Sequence, residues 1–173
     1  MGRRFKKSFL LVPLILLCIS AQTFADSAPE LKQLKTTGIC NGCDLEHVDL
    51  RGADLSGNQL RWAKLSHSNL TGANLKGADL TGADLSHALL TNTQLEGAVL
   101  QGSRLSGVDL SEARLVGADL RWADMTHLDV DLALEHIDLI GVLLEGARFK
   151  NGVRCGAFPP KGGFGCTAVQ TNR

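Results

Sequence analysis

Every fifth residue from Leu45 to Leu120 is leucine, sixteen positions without a break, and Met125 and Val130 carry the register on. Five fits neither common periodicity. A helix turns about 100° per residue, so residues five apart would spread around its circumference. A strand alternates its faces, so every second leucine would stand in water. Each five-residue unit must therefore contain its own bend, returning the next leucine to the same side. Units this short cannot bury an apolar face alone and must stack on one another as a solenoid.

The other positions of the unit agree. The residue two before the leucine is alanine at 53, 63, 73, 78, 83, 88, 98, 113, 118 and 123. Large and small side chains then alternate inside a narrow interior, as close packing requires. The residue two after the leucine is often glycine, as at 52, 57, 72, 77, 82, 97, 102, 107 and 117. A type II turn needs positive φ at its third residue, which glycine supplies without a Cβ clash.

Units such as Ala-Asp-Leu-Thr-Gly and Ala-Asn-Leu-Lys-Gly resemble the pentapeptide-repeat family, whose pattern is Ala-Asp/Asn-Leu-X-X. The resemblance covers residues 40–149. It implies an all-β fold, a right-handed quadrilateral β-helix with four pentapeptides per coil. Coils stacked about 4.8 Å apart would make a rod on the order of 25 Å long. The register slips once. Val130 and the next core leucine, Leu139, are nine positions apart rather than ten, and Leu144 and Phe149 follow the shifted frame. One residue missing within 131–137, shortening one face, accounts for the slip.

Residues 1–25 stand outside the repeat. A basic start (Arg3, Arg4, Lys6, Lys7), an apolar run over 9–19 and the small residue Ala25 read as a cleaved secretory signal. The run is too short for a membrane span, so none is expected after cleavage. The expected place is the periplasm or outside the cell. Residues 26–39 form an N-terminal cap. Ser27-Ala28-Pro29-Glu30 is a helix-capping pattern, followed by Leu31 and Leu34, which can cover the first coil. Residues 150–173 form a C-terminal cap loop, with Phe158 and Phe164 over the last coil.

The chain has 18 basic and 18 acidic residues. Signal cleavage leaves 14 basic and 18 acidic, a net charge of −4, and residues 44–149 alone are −8. No basic stripe exists, so nucleic acid is not an expected partner.

Cys40, Cys43, Cys155 and Cys166 remain after cleavage. An even number in an exported protein favours disulfides. The first two belong to the first coil and the others lie past the last, too far apart on such a rod for bridging, which needs Cα atoms within about 7 Å. Cys40–Cys43 and Cys155–Cys166 are therefore the expected pairs. Cys40 falls on the leucine register and Cys43 on the alanine register, so both should face inward. A redox role for Cys-Asn-Gly-Cys would need an exposed low-pKa thiolate at a helix start, and nothing of that kind surrounds Cys40.

Function can show only at outward positions. His47, His67, His87 and His127 all lie two after a core residue, spaced by 20, 20 and 40, so they share one corner column interrupted by Gly107. Trp62 and Trp122 are 60 apart and share the neighbouring corner, each after an arginine, Arg61 and Arg121. These eight residues are the candidate binding edge, with the tryptophans as aromatic anchors. His47, His67 and His87 could also share Zn²⁺ weakly through neutral imidazoles. No resident cofactor is otherwise implied. No phosphate loop, nucleophile elbow or acid–base pair departs from the five-residue period, so no enzyme activity is expected.

The favoured class is a cell-envelope interaction or structural module with a protein partner. The alternative is a metal- or pH-responsive binder using the histidine column. The resemblance also implies DNA mimicry toward gyrase, the family's best-known activity. The export signal, the arginines on the faces and the lack of a C-terminal dimerisation helix point away from it. Sequencing the mature protein should give an N-terminus near Asp26. Retention of residues 1–25 in a cytoplasmic form would overturn the export reading.

Overall fold

The computed structural model describes residues 29–128, 140–149, 153–155 and 166–168. The expected signal segment 1–25, Val130, Leu139, Phe158 and Phe164 lie outside the described residues.

Parallel bridges join positions 20 apart on four successive registers: Asp44 with Lys64, Asp49 with Asn69, Asp54 with Asn74 and Gln59 with Asp79. Four bridges before the first register recurs make a four-sided coil. Each bridge is held from both directions. The Leu45 amide donates to the Lys64 carbonyl (2.8 Å), and the Lys64 amide to the Cys43 carbonyl (2.9 Å). At each corner the chain closes a turn on itself, as where the Ala83 amide donates to the Leu80 carbonyl at 3.0 Å.

The interior is the leucine register. Leu45 to Leu120 and Met125 are all buried, with Ala63, Ala73, Ala78, Ala83, Ala88, Ala98, Ala113, Ala118 and Ala123 between them. Hydroxyls enter this core where alanine is replaced, and each donates to a backbone carbonyl. Ser68 reaches Leu65 (2.7 Å), Thr93 reaches Leu70 (3.0 Å) and Ser103 reaches Leu100 (2.8 Å). That satisfies a group whose burial would otherwise be costly.

Helix α1, Pro29–Thr37, precedes the first coil and buries Leu31 and Leu34. Gly38, in the left-handed region, ends it by donating to the Leu34 carbonyl at 3.0 Å. Beneath it the Cys40–Cys43 disulfide is formed, with both residues buried and the Cys40 sulfur 3.3 Å from the Glu30 carbonyl oxygen.

The register slip is an insertion, not a loss. Asp119 bridges Leu143, and β1 (Asp124–Met125) pairs in parallel with β2 (Arg148–Phe149), matching Asp124 to Arg148. Each of these steps is four positions longer than a step in the earlier coils, so the extra chain lies between Leu128 and Ile140. A frame that repeats every five cannot tell minus one from plus four, and the stacking decides.

The last coil does not end in an open edge on this side. Strand β3 (Val153–Cys155) pairs antiparallel with β2, and β4 (Cys166–Ala168) with β3. Among the described residues the free edge of the sheet thereby passes from β2 to the short strand β4. The β3–β4 register sets Cys155 directly opposite Cys166. Opposed Cα atoms in antiparallel strands lie about 4.5–5.5 Å apart, inside the usual range for a disulfide. Non-reducing peptide mapping should therefore recover Cys155 linked to Cys166. A peptide joining either residue to Cys40 or Cys43 would contradict the stacking itself.

Candidate functional site

All seventeen corner positions from Gly42 to Trp122, taken every fifth residue, have φ between 58° and 71°. Ten are glycine. The others are His47, Trp62, His67, His87, Asn92, Glu112 and Trp122. An L-residue held there costs about 1 kcal/mol or more relative to glycine. His47, His67, His87 and the two tryptophans thus stand where the backbone most favours glycine, and all five are exposed.

The three leading histidines form a stack. The His47 and His67 ring centroids are 5.0 Å apart at 9°, and those of His67 and His87 5.1 Å apart at 12°. The His87 ring lies over Gly107, where a Cβ would come within 2.5 Å of Nδ1. His127, exposed, sits one coil further on, so Gly107 separates it from the stack. Nearly parallel rings do not converge on a point as tetrahedral zinc ligands do. Among the described residues no group of three His, Cys, Asp or Glu side chains gathers to hold a metal ion.

Trp62 and Trp122, both 64% exposed, occupy the neighbouring corner. Each leans one coil onward, onto Gly82 and Gly146 respectively, and a Cβ on either glycine would overlap the indole. These glycines and Gly107 are part of the site. They were identifiable from position, since each lies one coil past an aromatic corner residue. Their turn role hid the second one.

Arg61 and Arg121 are held to carboxylates. Arg61 Nε is 3.8 Å from Asp79, while Arg121 grips Asp119 with Nε and Nη2 at 2.9 and 2.6 Å. Gln101 adds a third side-chain donor to Asp119 at 2.6 Å.

Between the two corners runs one face of the coil. Its outward column reads Asp44, Lys64, Asp84, Arg104, Asp124 and Arg148. Ion pairs join Lys64 to Asp44 (3.2 Å), Arg104 to Asp84 (3.3 Å) and Arg148 to Asp124 (2.9 Å). The sequence reading missed this column because its residues look like ordinary variation at the Asp/Asn position. Aligning the chain coil by coil exposes it.

The Asp/Asn position has its own cause. Its Oδ1 accepts the amide two residues on, as from Arg51 to Asp49, Thr71 to Asn69, Lys76 to Asn74 and Thr81 to Asp79. At Asp49 the Arg51 side chain and amide together hold the carboxyl below its ordinary value. The Arg121 fork holds Asp119 below its ordinary value, against partial burial. The Ser111 hydroxyl does the same for Asp109. At Asp84 and Asp124 burial is the largest influence and pushes upward, but the Ser86 and Thr126 donors with Arg104 and Arg148 prevail, and both titrate low.

A family profile described as pentapeptide repeats matches eight copies, over residues 39–61, 59–93 and 88–126. The chain belongs to the pentapeptide-repeat family. No curated protein matches it. Among solved structures it is similar to a pentapeptide repeat protein of the cyanobacterium Cyanothece, with 27% identity over 70% of this chain and 93% of that one, at a TM-score of 0.35. One from Nostoc involved in heterocyst differentiation regulation shows 24% identity over 67% and 70%, at 0.40. One from the Arabidopsis thaliana thylakoid lumen shows 28% over 67% and 68%, at 0.29.

The depressed carboxyls set an acid limit. Unfolded, each returns to about its ordinary value of 3.8, so on acidification the unfolded chain takes up protons first. Stability present at neutral pH is then lost from about pH 5 downward, as pH falls through the folded values. Asp119→Asn keeps the amide acceptor but removes the charge, and its melting temperature should change less between pH 5 and about pH 3 than the parent's. An equal drop in both proteins would place the acid sensitivity elsewhere.

Proposed function

We propose that the protein is a non-enzymatic interaction or structural module of the cell envelope, exported by cleavage of residues 1–25, whose rigid corners bind a protein or glycan. The observation that carries this reading is the placing of Trp62 and Trp122. Both are largely exposed, and both hold a left-handed backbone that glycine would adopt at less cost. Each also has a glycine one coil on that receives its ring. Large indoles fixed in water at a backbone penalty suit a binding edge better than a neutral surface, because buried aromatic anchors dominate contact energies.

The scaffold favours this class. Its outward positions are set by the stacking of coils, which yields extended flat faces rather than a closed cleft. The coil is taken as right-handed, the hand that parallel crossovers adopt. The charged face alternates in sign, which suits a protein surface better than a polyanion.

The histidine stack supports a second reading, a metal- or pH-responsive edge, in which stacked imidazoles would re-orient to share Zn²⁺. Calorimetric titration of zinc into the parent and into His67→Ala addresses it. Equal heats, or none, would leave the stack a purely packing feature.

For the favoured reading, the parent and a Trp62→Ala/Trp122→Ala variant are compared as bait in envelope extract, with melting curves showing that both fold. The variant should retain its partner about tenfold less well or worse. Equal capture by both would sink the binding-edge assignment.

A further inference from the structure

The six outward charges of the face between the tryptophan and histidine corners alternate without exception: Asp44, Lys64, Asp84, Arg104, Asp124, Arg148. The core repeats at every coil, yet this column repeats only at every second coil, and the insertion before Arg148 leaves its order intact. Six is an even number, so the column begins acidic and ends basic. Such a column is complementary to itself when reversed.

We propose that this face docks against a second copy of the chain, antiparallel, about a two-fold axis lying across the face between the Asp84 and Arg104 rungs. The reading rests on the tryptophan corner being a binding edge, and it names the occupant. Asp44 then meets Arg148 of the second copy, Lys64 meets Asp124, and Asp84 meets Arg104, each pair occurring twice as an isologous contact requires. Together with the ion pairs along each chain this makes a checkerboard of charge. A parallel arrangement would set Asp against Asp and Lys against Lys, which is repulsive at every rung.

The tryptophans supply an independent observation. Counting rungs from Asp44, Trp62 stands at the second and Trp122 at the fifth. Reversal about the centre exchanges the second rung with the fifth, so each tryptophan backbone faces the other's. With the axis across the face, the tryptophan corner of one copy meets that of the other. The rings do not collide there. They lean onto Gly82 and Gly146, at the third and sixth rungs. The rings of the second copy therefore arrive at the fourth and first rungs, where this corner carries Gly102 and Gly42. The two Trp62 rings come to adjacent levels on either side of the axis. At the other corner the same exchange sets His67 opposite His127 and leaves Gly107 opposite His87.

Six rungs span about 24 Å. One narrow face with its two corners is smaller than the roughly 800 Å² per partner of a standard interface. The dimer should therefore be weak, micromolar or above in Kd, and salt-sensitive because its selectivity is electrostatic.

Sedimentation equilibrium of the purified protein at about 0.05 M and about 0.5 M salt tests this. The expected result is a reversible dimer whose Kd rises about tenfold or more at the higher salt. Lys64→Asp turns two pairs repulsive and should weaken the dimer by at least about tenfold. Adding Asp124→Lys should restore it. Within one chain that exchange is unfavourable, placing an acid between Asp44 and Asp84 and a base between Arg104 and Arg148, so only reversed docking can produce rescue. Carbodiimide cross-linking of a mixture of light- and heavy-nitrogen parent protein avoids the variants altogether, and should give mixed-isotope peptides linking Lys64 to Asp124, which lie three coils apart within a chain. A monomer throughout the low-salt series, or a dimer unchanged by Lys64→Asp, would overturn the proposal. A monomer that still captures an envelope component through its tryptophans overturns the self-docking alone and leaves the wider binding-edge reading standing.

Discussion

The left-handed corner is the constraint on which the rest of this structure depends. A coil closes on four sides only because the chain turns at every fifth residue, and at each turn from Gly42 to Trp122 the third residue has positive φ. The turn delivers leucine and alanine inward and leaves the residue before the leucine on the outer face, where it bridges to the next coil. Glycine is the least costly occupant. Where another residue appears, something beyond the turn must retain it, and seven such residues concentrate attention on a few positions. Asn92 is the easiest to explain, since asparagine tolerates this region. Nothing in the structure explains Glu112.

Core and first cap were legible in the sequence because burial follows the same period as the chain. The leucine and alanine registers, the inward-facing Cys40 and Cys43 and the cap leucines Leu31 and Leu34 needed only the five-residue frame. The histidine and tryptophan columns needed the longer frame of the coil as well, and the stack of His47, His67 and His87 follows from it. What escaped depended on information a frame does not hold. The sense of the slip after Leu128 is ambiguous modulo five, and hydrogen bonds such as Leu120 to Leu143 (2.8 Å) resolve it. The ring-bearing glycines Gly82, Gly107 and Gly146 were already accounted for as turns. The antiparallel return of β3 onto β2 involves no repeat at all.

The insertion shows what the stacking tolerates. The extra chain between Leu128 and Ile140 leaves the next coil in register on both faces where it can be followed, at Asp119 with Leu143 and Asp124 with Arg148. Trp122 still finds a glycine beneath its ring, at Gly146, although the step to it is longer than in the coils before. The loop entropy of a short addition is small, whereas losing the Arg148 rung would strand the Asp124 carboxylate without its ion pair. Side-chain geometry on the charged face is thus kept across a change in chain length.

That preservation bears on why the column alternates. Opposite charges one coil apart stabilise neighbouring coils only modestly, since these pairs are largely exposed. Their greater effect is on alternatives. The coils are alike inside, so an incoming coil that skipped its neighbour would still find leucine opposite leucine. On the charged face it would find Asp44 beside Asp84, or Lys64 beside Arg104, and the mismatch would disfavour the skip. A pattern with twice the period of the core therefore marks each coil as different from the next, in the way that charge patterns set partner choice where packing alone is degenerate. The same column that identifies the correct neighbour within the chain also defines, at its outer surface, a fixed sequence of signs for any other surface to match.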